Sequence, residues 1–497
     1  MAVRCRGYGC VSFVAMFVAM GAFVCGYSIG SFNGLQNYSG FLQYFALGNS
    51  STNSSCTDTS HLTEDKLLIL GAIISIISIG GAIGNLFAGK IVDYIGRKVS
   101  LVVSGAIVVL GAVIQSAAVQ SASWMLILGR FVAGVGYGGI YMAGSIYIAE
   151  IAPKHIRGSL TALPGPAIAV GIIAGHISNL LLYEHPFGWR VSRILNCIFG
   201  CVYIAGMVFM PRTPRWLMLK GREPEAREVL RIAASELGQE GIEDELKCIR
   251  LALDSVANSS FVEELKLLFT NSKKLERLIL GIVLHFFSSA CGNSVFYYSE
   301  PLFCSLGIVP FVTALVIGGL ILCGNIFSIL VIDKLGRKPL LVGGGLIMFV
   351  FTGTAATLTY VFNLDEEGDH DTIGYLVVCL ICLFMLVFSA TWHTVPWVVT
   401  SEIFPLEGRA VMVAIATATN WGTTYLFTQA FPSILASFQT FGSLYMYSIF
   451  HLSAAVFFFL LLPETKGVSL EEIEKIFAKP WLERILVAIF PGQVGYL

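Results

Sequence analysis

Two charged phrases stand between long apolar runs and could do reversible ion-pair chemistry. "DYIGRK" (Asp93–Lys98) is echoed 240 positions later by "DKLGRK" (Asp333–Lys338). "EIAPKHIR" (Glu150–Arg157) recurs in the same way as "EIFPLEGR" (Glu402–Arg409). A guanidinium offers paired N–H donors to a carboxylate, so Arg97 and Arg337 have Glu150 and Glu402 as natural acceptors. Glycine lets the short turn between two helices reverse. Asp93 and Asp333 fall at the C-terminal ends of helical runs, where the helix dipole disfavours an anion, and they need cationic partners. Exposed pairs contribute only about 0.2–1 kcal/mol each. Such weakness suits a gate that closes by pairing between halves and reopens in each cycle. The gate candidates are Asp93, Arg97, Glu150, Arg157, Asp333, Arg337, Glu402 and Arg409. The plainer alternative is that these cations only fix topology; their repetition favours the gate.

Other chemistries find little purchase. A net charge of -1 over 497 residues argues against a nucleic-acid surface. The twelve cysteines lie mostly inside apolar runs, which speaks against a disulfide framework or a zinc site. No nucleophile–base, metal or phosphate-loop constellation stands at usable spacing, so neither an enzyme nor a bound cofactor or metal is expected.

The elements that must position these residues are set by hydropathy. The chain is 56% apolar and only 13% charged, with a mean hydropathy of +0.77. About 20 apolar residues are needed to cross a hydrocarbon core about 30 Å thick. Runs of that kind occupy Gly9–Gly30, Leu67–Val92, Leu101–Ala118, Trp124–Ile148, Leu160–Leu182 and Val191–Met210. A second set occupies Leu278–Phe296, Phe311–Ile332, Leu340–Phe362, Ile373–Val399, Val411–Leu435 and Phe441–Leu462. The expectation is an all-α membrane protein of twelve transmembrane helices, divided as 1–211, a helical linker 212–277, 278–462 and a tail 463–497. Within the linker, Glu223–Gly238, Glu243–Ala257 and Phe261–Phe269 have helical apolar spacing. After it, "SLEEIEKIF" reads as a surface helix, and Pro480–Phe490 as a segment on the membrane face.

Cation placement orients the chain. Lys90, Arg97, Lys98, Lys154, Arg157, Lys334, Arg337, Lys338 and Arg409 fall on alternate connections, which assigns those connections and both termini to the cytoplasm. The opposite face carries Lys66 and the acidic loop Asn363–Asp371. Asn49 and Asn53 head glycosylation triplets on that outer face.

At this point the chain resembles the sugar porter branch of the major facilitator superfamily. The resemblance rests on "GRFVAGVGYGG" (Gly129–Gly139), "YIAEIAPKHIRG" (Tyr147–Gly158), "GRKPLL" (Gly336–Leu341), "WVVTSEIFPL" (Trp397–Leu406), Asn420-Trp421 and "PETKG" (Pro463–Gly467), and spans about Gly21 to Phe477. It implies two pseudo-symmetric six-helix bundles that rock about a shared site, with a small sugar or polyol as partner. The binding residues it implies are Ser288, Asn293, Tyr297, Tyr298, Trp392, His393, Trp397, Asn420 and, on helix 5, Gly165. Amides pair with sugar hydroxyls, and an indole covers the apolar ring face.

The chain also departs from the family pattern. The helix 5 glutamine is Gly165, and both helix 7 glutamines are lost around Phe287 and Ser288. The helix 8 asparagine is Ile321, the helix 10 acid is Ser389, and His393 replaces a glycine. Tyr94 and Arg212 stand where arginine and glutamate are usual. Each lost hydrogen bond would weaken hexose binding by about 0.5–1.5 kcal/mol. "CGYSIG" (Cys25–Gly30) places Ser28 where proton-coupled relatives carry an acid, close to Arg130, so facilitative uniport of a hexose or polyol is expected. Proton symport through a histidine such as His393, carriage of a less polar solute, and sensing without transport are the alternatives. The plasma membrane is the expected location.

Overall fold

The computed structural model describes residues 8–33, 39–45, 64–152, 157–182, 185–233, 270–292, 310–362, 371–405 and 408–466. It adds isolated positions between 239 and 250 and at 364, 473, 476, 477 and 479. Backbone groups in hydrocarbon must satisfy one another, so apolar runs of this length fold as helices. The first ten are α1 (Tyr8–Asn33), α2 (Ser39–Tyr44), α3 (Glu64–Ile95), α4 (Arg97–Ser116), α5 (Ser123–Ile151), α6 (Arg157–Thr161), α7 (Pro164–Leu182), α8 (Gly188–Phe209), α9 (Pro214–Leu219) and α10 (Glu223–Ala233). The rest are α11 (Ser272–Ala290), α12 (Pro310–Leu335), α13 (Arg337–Val361), α14 (Asp371–Ala390), α15 (Val395–Ile403) and α16 (Arg409–Leu461).

Among the described residues, ten segments are long and apolar enough to cross a membrane. The other two of the twelve spans are α11 and the first limb of α16. The first opens on Lys273, Lys274, Glu276 and Arg277, and the second carries Thr417, Thr419, Asn420, Thr423, Thr424, Thr428 and Gln429.

The helix ends differ from the apolar runs for local reasons. α11 starts six residues before Leu278 because Asn271 caps it, its side chain accepting from Lys273 N at 3.0 Å and Lys274 N at 3.4 Å. The run Leu160–Leu182 is divided at "LPGP" into α6 and α7, since proline cannot continue a helical ladder. Pro396 divides Ile373–Val399 likewise, leaving a turn at 391–394 between α14 and α15. The last two runs join into α16, interrupted where Gln439 takes φ 57°.

The chain divides into two compact units. One comprises Met1–Leu47 and Ile76–Lys266, the other Gly48–Ser75 and Leu267–Leu497. In the first unit, helices approach through glycine. Gly26 and Gly30 of α1 face Ile168 O and Ile172 O of α7, and Gly171 returns the contact on Phe23 O. Gly80 and Gly84 of α3 face Phe131 O and Val135 O of α5, with Gly134 and Gly138 set against Ile77 O and Gly81 O. Van der Waals packing of small residues drives such association, because lipid offers no hydrophobic difference. Away from these spans, Trp216, Leu217, Ala226, Leu230, Ile242, Leu246 and Ile249 form an apolar cluster joining α9 and α10 to the linker beyond. In the second unit the Arg277 guanidinium lies 4.8 Å over the ring of Phe477. Asn49, Asn53, Phe261–Phe269 and Pro480–Phe490 lie outside the described residues.

Candidate functional site

His285 organises the polar centre of the second unit. It is fully buried on α11, and its ring meets Trp397 of α15 edge-on at 5.1 Å. Thr400 Oγ1 donates to Pro396 O at 2.7 Å, so its 3.0 Å contact with His285 Nε2 requires the ring N–H to donate to the hydroxyl. Asn420 Nδ2 of α16 reaches His285 O at 3.4 Å. Ser289 Oγ donates to Asn420 O at 2.9 Å. Two of the expected sugar ligands, Trp397 and Asn420, thus belong to one cluster. Its hub, the buried His285, is not among the expected ligands.

A second polar group forms at the break between α14 and α15. His393 Nδ1 donates to Asn325 Oδ1 at 3.1 Å, and Thr394 Oγ1 donates to the same oxygen at 3.0 Å. That tautomer leaves Nε2 of the half-buried His393 as an acceptor for a hydroxyl. Asn325, fully buried on α12, is not among the expected ligands. It stands one helical turn beyond Ile321, and an amide inside an otherwise apolar run is the feature that could have disclosed it.

Two of the expected ligands pack inside the second unit. Trp392 is fully buried, its indole N–H donates to Leu341 O at 2.9 Å, and its ring packs on Phe458 at 5.5 Å. Ser288 is likewise internal, its hydroxyl donating to Trp392 O at 2.8 Å. Both hold α11 and α13 to the α14–α15 break. Asn293, Tyr297 and Tyr298 lie outside the described residues. In the first unit, Gly165 opens α7, its N–H donating to Ala162 O at 3.1 Å.

Helix α1 of the first unit carries Ser28 and Phe32, both buried. Two fully buried guanidiniums flank the Phe32 ring, Arg130 at 3.8 Å and Arg193 at 4.2 Å. Arg193 also donates to Ser31 Oγ. The family resemblance points to Arg130 here but not to Arg193. Helices α1, α4, α7 and α8 contain no aspartate or glutamate at all.

The charged turns are built alike in the two units, each within its own unit. Arg97 NH2 lies 2.9 Å from Glu150 Oε1, and NH1 lies 2.9 Å from Asp93 Oδ1. Arg337 NH2 lies 2.8 Å from Glu402 Oε1 and 3.1 Å from Asp333 Oδ1. Gly96 (φ 92°) and Gly336 (φ 97°) turn the chain through a conformation that disfavours any Cβ. Thr465 Oγ1 adds a 2.6 Å bond to Glu402 Oε2. Arg409 donates to Phe404 O at 3.0 and 3.1 Å, tying the turn between α15 and α16. Arg157 begins α6, and its side chain lies outside the described set.

Comparison with known proteins places this geometry in context. The profile described as "Sugar (and other) transporter" matches residues 14–477. Hexose transporter 2 of Kluyveromyces lactis is 31% identical over 98% of this chain and 87% of its own length. Sugar carrier protein A of Ricinus communis is also 31% identical, over 97% of this chain and 91% of its own. Among solved structures, the major facilitator superfamily proton:xylose symporter XylE superimposes with a TM-score of 0.78 at 24% identity, covering 95% of this chain and all of that one. Its inward-open form from E. coli gives 0.73 at 23% identity, over 94% and 99%.

Proposed function

The chain belongs to the sugar (and other) transporter family, and from that premise we propose that it carries a hexose or related polyol across the plasma membrane by facilitative uniport. It is a multi-pass membrane transporter of the twelve-helix major facilitator fold, working by alternating access. The supporting observation for a sugar is the His285–Trp397–Asn420 cluster, which sets an indole edge and an amide on adjoining helices. His393 Nε2, beside Asn325, supplies a further acceptor. The charged turns serve as struts that hold α4 to α5 and α13 to α15, and their partial exposure at Asp93 and Asp333 lets them loosen during the cycle. Both termini lie on the cytoplasmic side, where the cations gather.

The helix 1 position supports uniport. Ser28 cannot exchange a proton at any physiological pH, and no carboxylate stands on α1, α4, α7 or α8 to replace it. In proteoliposomes, labelled hexose uptake is expected to follow the sugar gradient and to be unchanged by a protonophore. Uptake that collapses with the proton gradient would replace uniport by symport. Asn420→Ala is expected to raise the apparent KM for hexose about 2–10-fold, the loss of one hydrogen bond. An unchanged KM would remove Asn420 from the site.

A further inference from the structure

The repeated turns end on opposite chemistry in the two units. In the second, Glu464 caps α13: Oε1 accepts from Arg337 N and Oε2 from Lys338 N, each at 3.0 Å. Its carboxylate lies 2.7 Å from where a Cβ on Gly336 would stand. The first unit repeats the turn without the cap. Pro211-Arg212-Thr213 holds the place of Pro463-Glu464-Thr465, so a guanidinium replaces the carboxylate. Gly96 itself supplies no side-chain cap to α4.

Donors collect where that carboxylate is missing. Arg97, Lys98, Arg212, Thr213 and Trp216 line one tight cleft at the start of α4. Thr213 Oγ1 and Trp216 Nε1 are buried there without a hydrogen-bond partner among the described residues, their residues only 1% and 7% exposed. The indole lies against Gly96, its Nε1 3.0 Å from the position of an added Cβ. An indole N–H can only donate, so the ring beside Gly96 supplies no acceptor to the first N–H groups of α4. The nearby acids, Asp93 and Glu150, are both engaged by Arg97. At the rim, Arg212 stacks 4.7 Å over Trp216, and Lys98 Nζ donates to Val208 O at 2.7 Å.

We propose that this cleft binds a phosphate group presented from the cytoplasmic face, carried by a soluble phosphate or by the headgroup of an inositol lipid. The oxygens take the place that Glu464 fills in the second unit: they accept from the first N–H groups of α4, with Lys98 and Arg212 as charge partners. Occupancy requires the heads of those two side chains to swing outward. It ties the α4 terminus to α9 and so to the apolar cluster beneath Trp216.

The full chain in phosphatidylcholine nanodiscs, titrated with sodium phosphate against sodium chloride at equal ionic strength, tests the soluble source. Nanodiscs doped with phosphatidylinositol bisphosphate, without soluble phosphate, test the lipid source. In at least one arm the unfolding midpoint should rise by about 2 °C or more at saturation. Arg212→Glu restores the internal cap. It should unfold at a higher temperature than the parent chain and weaken the phosphate response at least about tenfold. Arg212→Gln, which only removes charge, provides a second variant should the first fail to assemble. The arm that responds identifies the source. No rise in either arm, or an equal response in the Arg212 variants, would overturn the site.

Discussion

Replacing Arg97 by methionine is expected to destabilise the first unit by about 3–5 kcal/mol, the cost of breaking a buried ion pair by removing one partner. The Arg97 and Glu150 side chains are only 9% and 6% exposed, so water cannot take over when the guanidinium is gone. Methionine keeps most of the volume and removes the two contacts to Glu150 Oε1, at 2.9 and 3.1 Å, and the donation to Val92 O. Asp93 matters less, being 55% exposed. The double variant Arg97→Met, Glu150→Met should recover most of the loss, because two apolar side chains leave no stranded charge. The corresponding Arg337→Met is expected to cost less. Glu402 is 23% exposed and retains the hydroxyl of Thr465 as a second partner. Thermal unfolding of the three purified variants beside the parent chain measures this directly. An Arg97→Met midpoint equal to that of the parent chain would show that the pair is ornamental.

Those pairs were legible in the sequence because charge is scarce there. A chain that is 13% charged and sets the same acid–glycine–arginine phrase at Asp93 and Asp333 leaves few acceptors to consider. The twelve spans were legible for the related reason that a bilayer demands length and apolarity and little else. What was not legible was which way each helix faces. A helix that is apolar all round, as α1 and α12 are, has no polar stripe to mark its inner side. Nothing in the sequence therefore shows that Trp392 and Ser288 pack inside the second unit. Asn325 finds its partner, His393, 68 positions away at the turn before Pro396, a pairing that no local pattern announces. Local breaks of this kind depend on single prolines and caps, which a hydropathy window averages away.

The glycine contacts lead to the second large effect. Gly138→Ala is expected to lower stability by at least about 3 kcal/mol, at the top of the usual range for overpacking. A methyl on Gly138 of α5 would overlap the carbonyl oxygen of Gly81 on α3, and backbone cannot rotate aside as a side chain can. Gly134, Gly80 and Gly84 face backbone in the same way, so the whole interface must part before any one methyl fits. Gly343→Ala, with nothing within 4 Å of the new Cβ, is the matched control and should change stability by no more than about 0.5 kcal/mol. The same contacts bear on the charged turn. α3 leads into Arg97 and α5 carries Glu150, so the glycine line fixes how closely guanidinium and carboxylate approach. Parting the two helices should lengthen the pair as well, and Gly138→Ala added to Arg97→Met should then cost less than the sum of the two. Strict additivity would show that the glycine seam and the ion pair act independently.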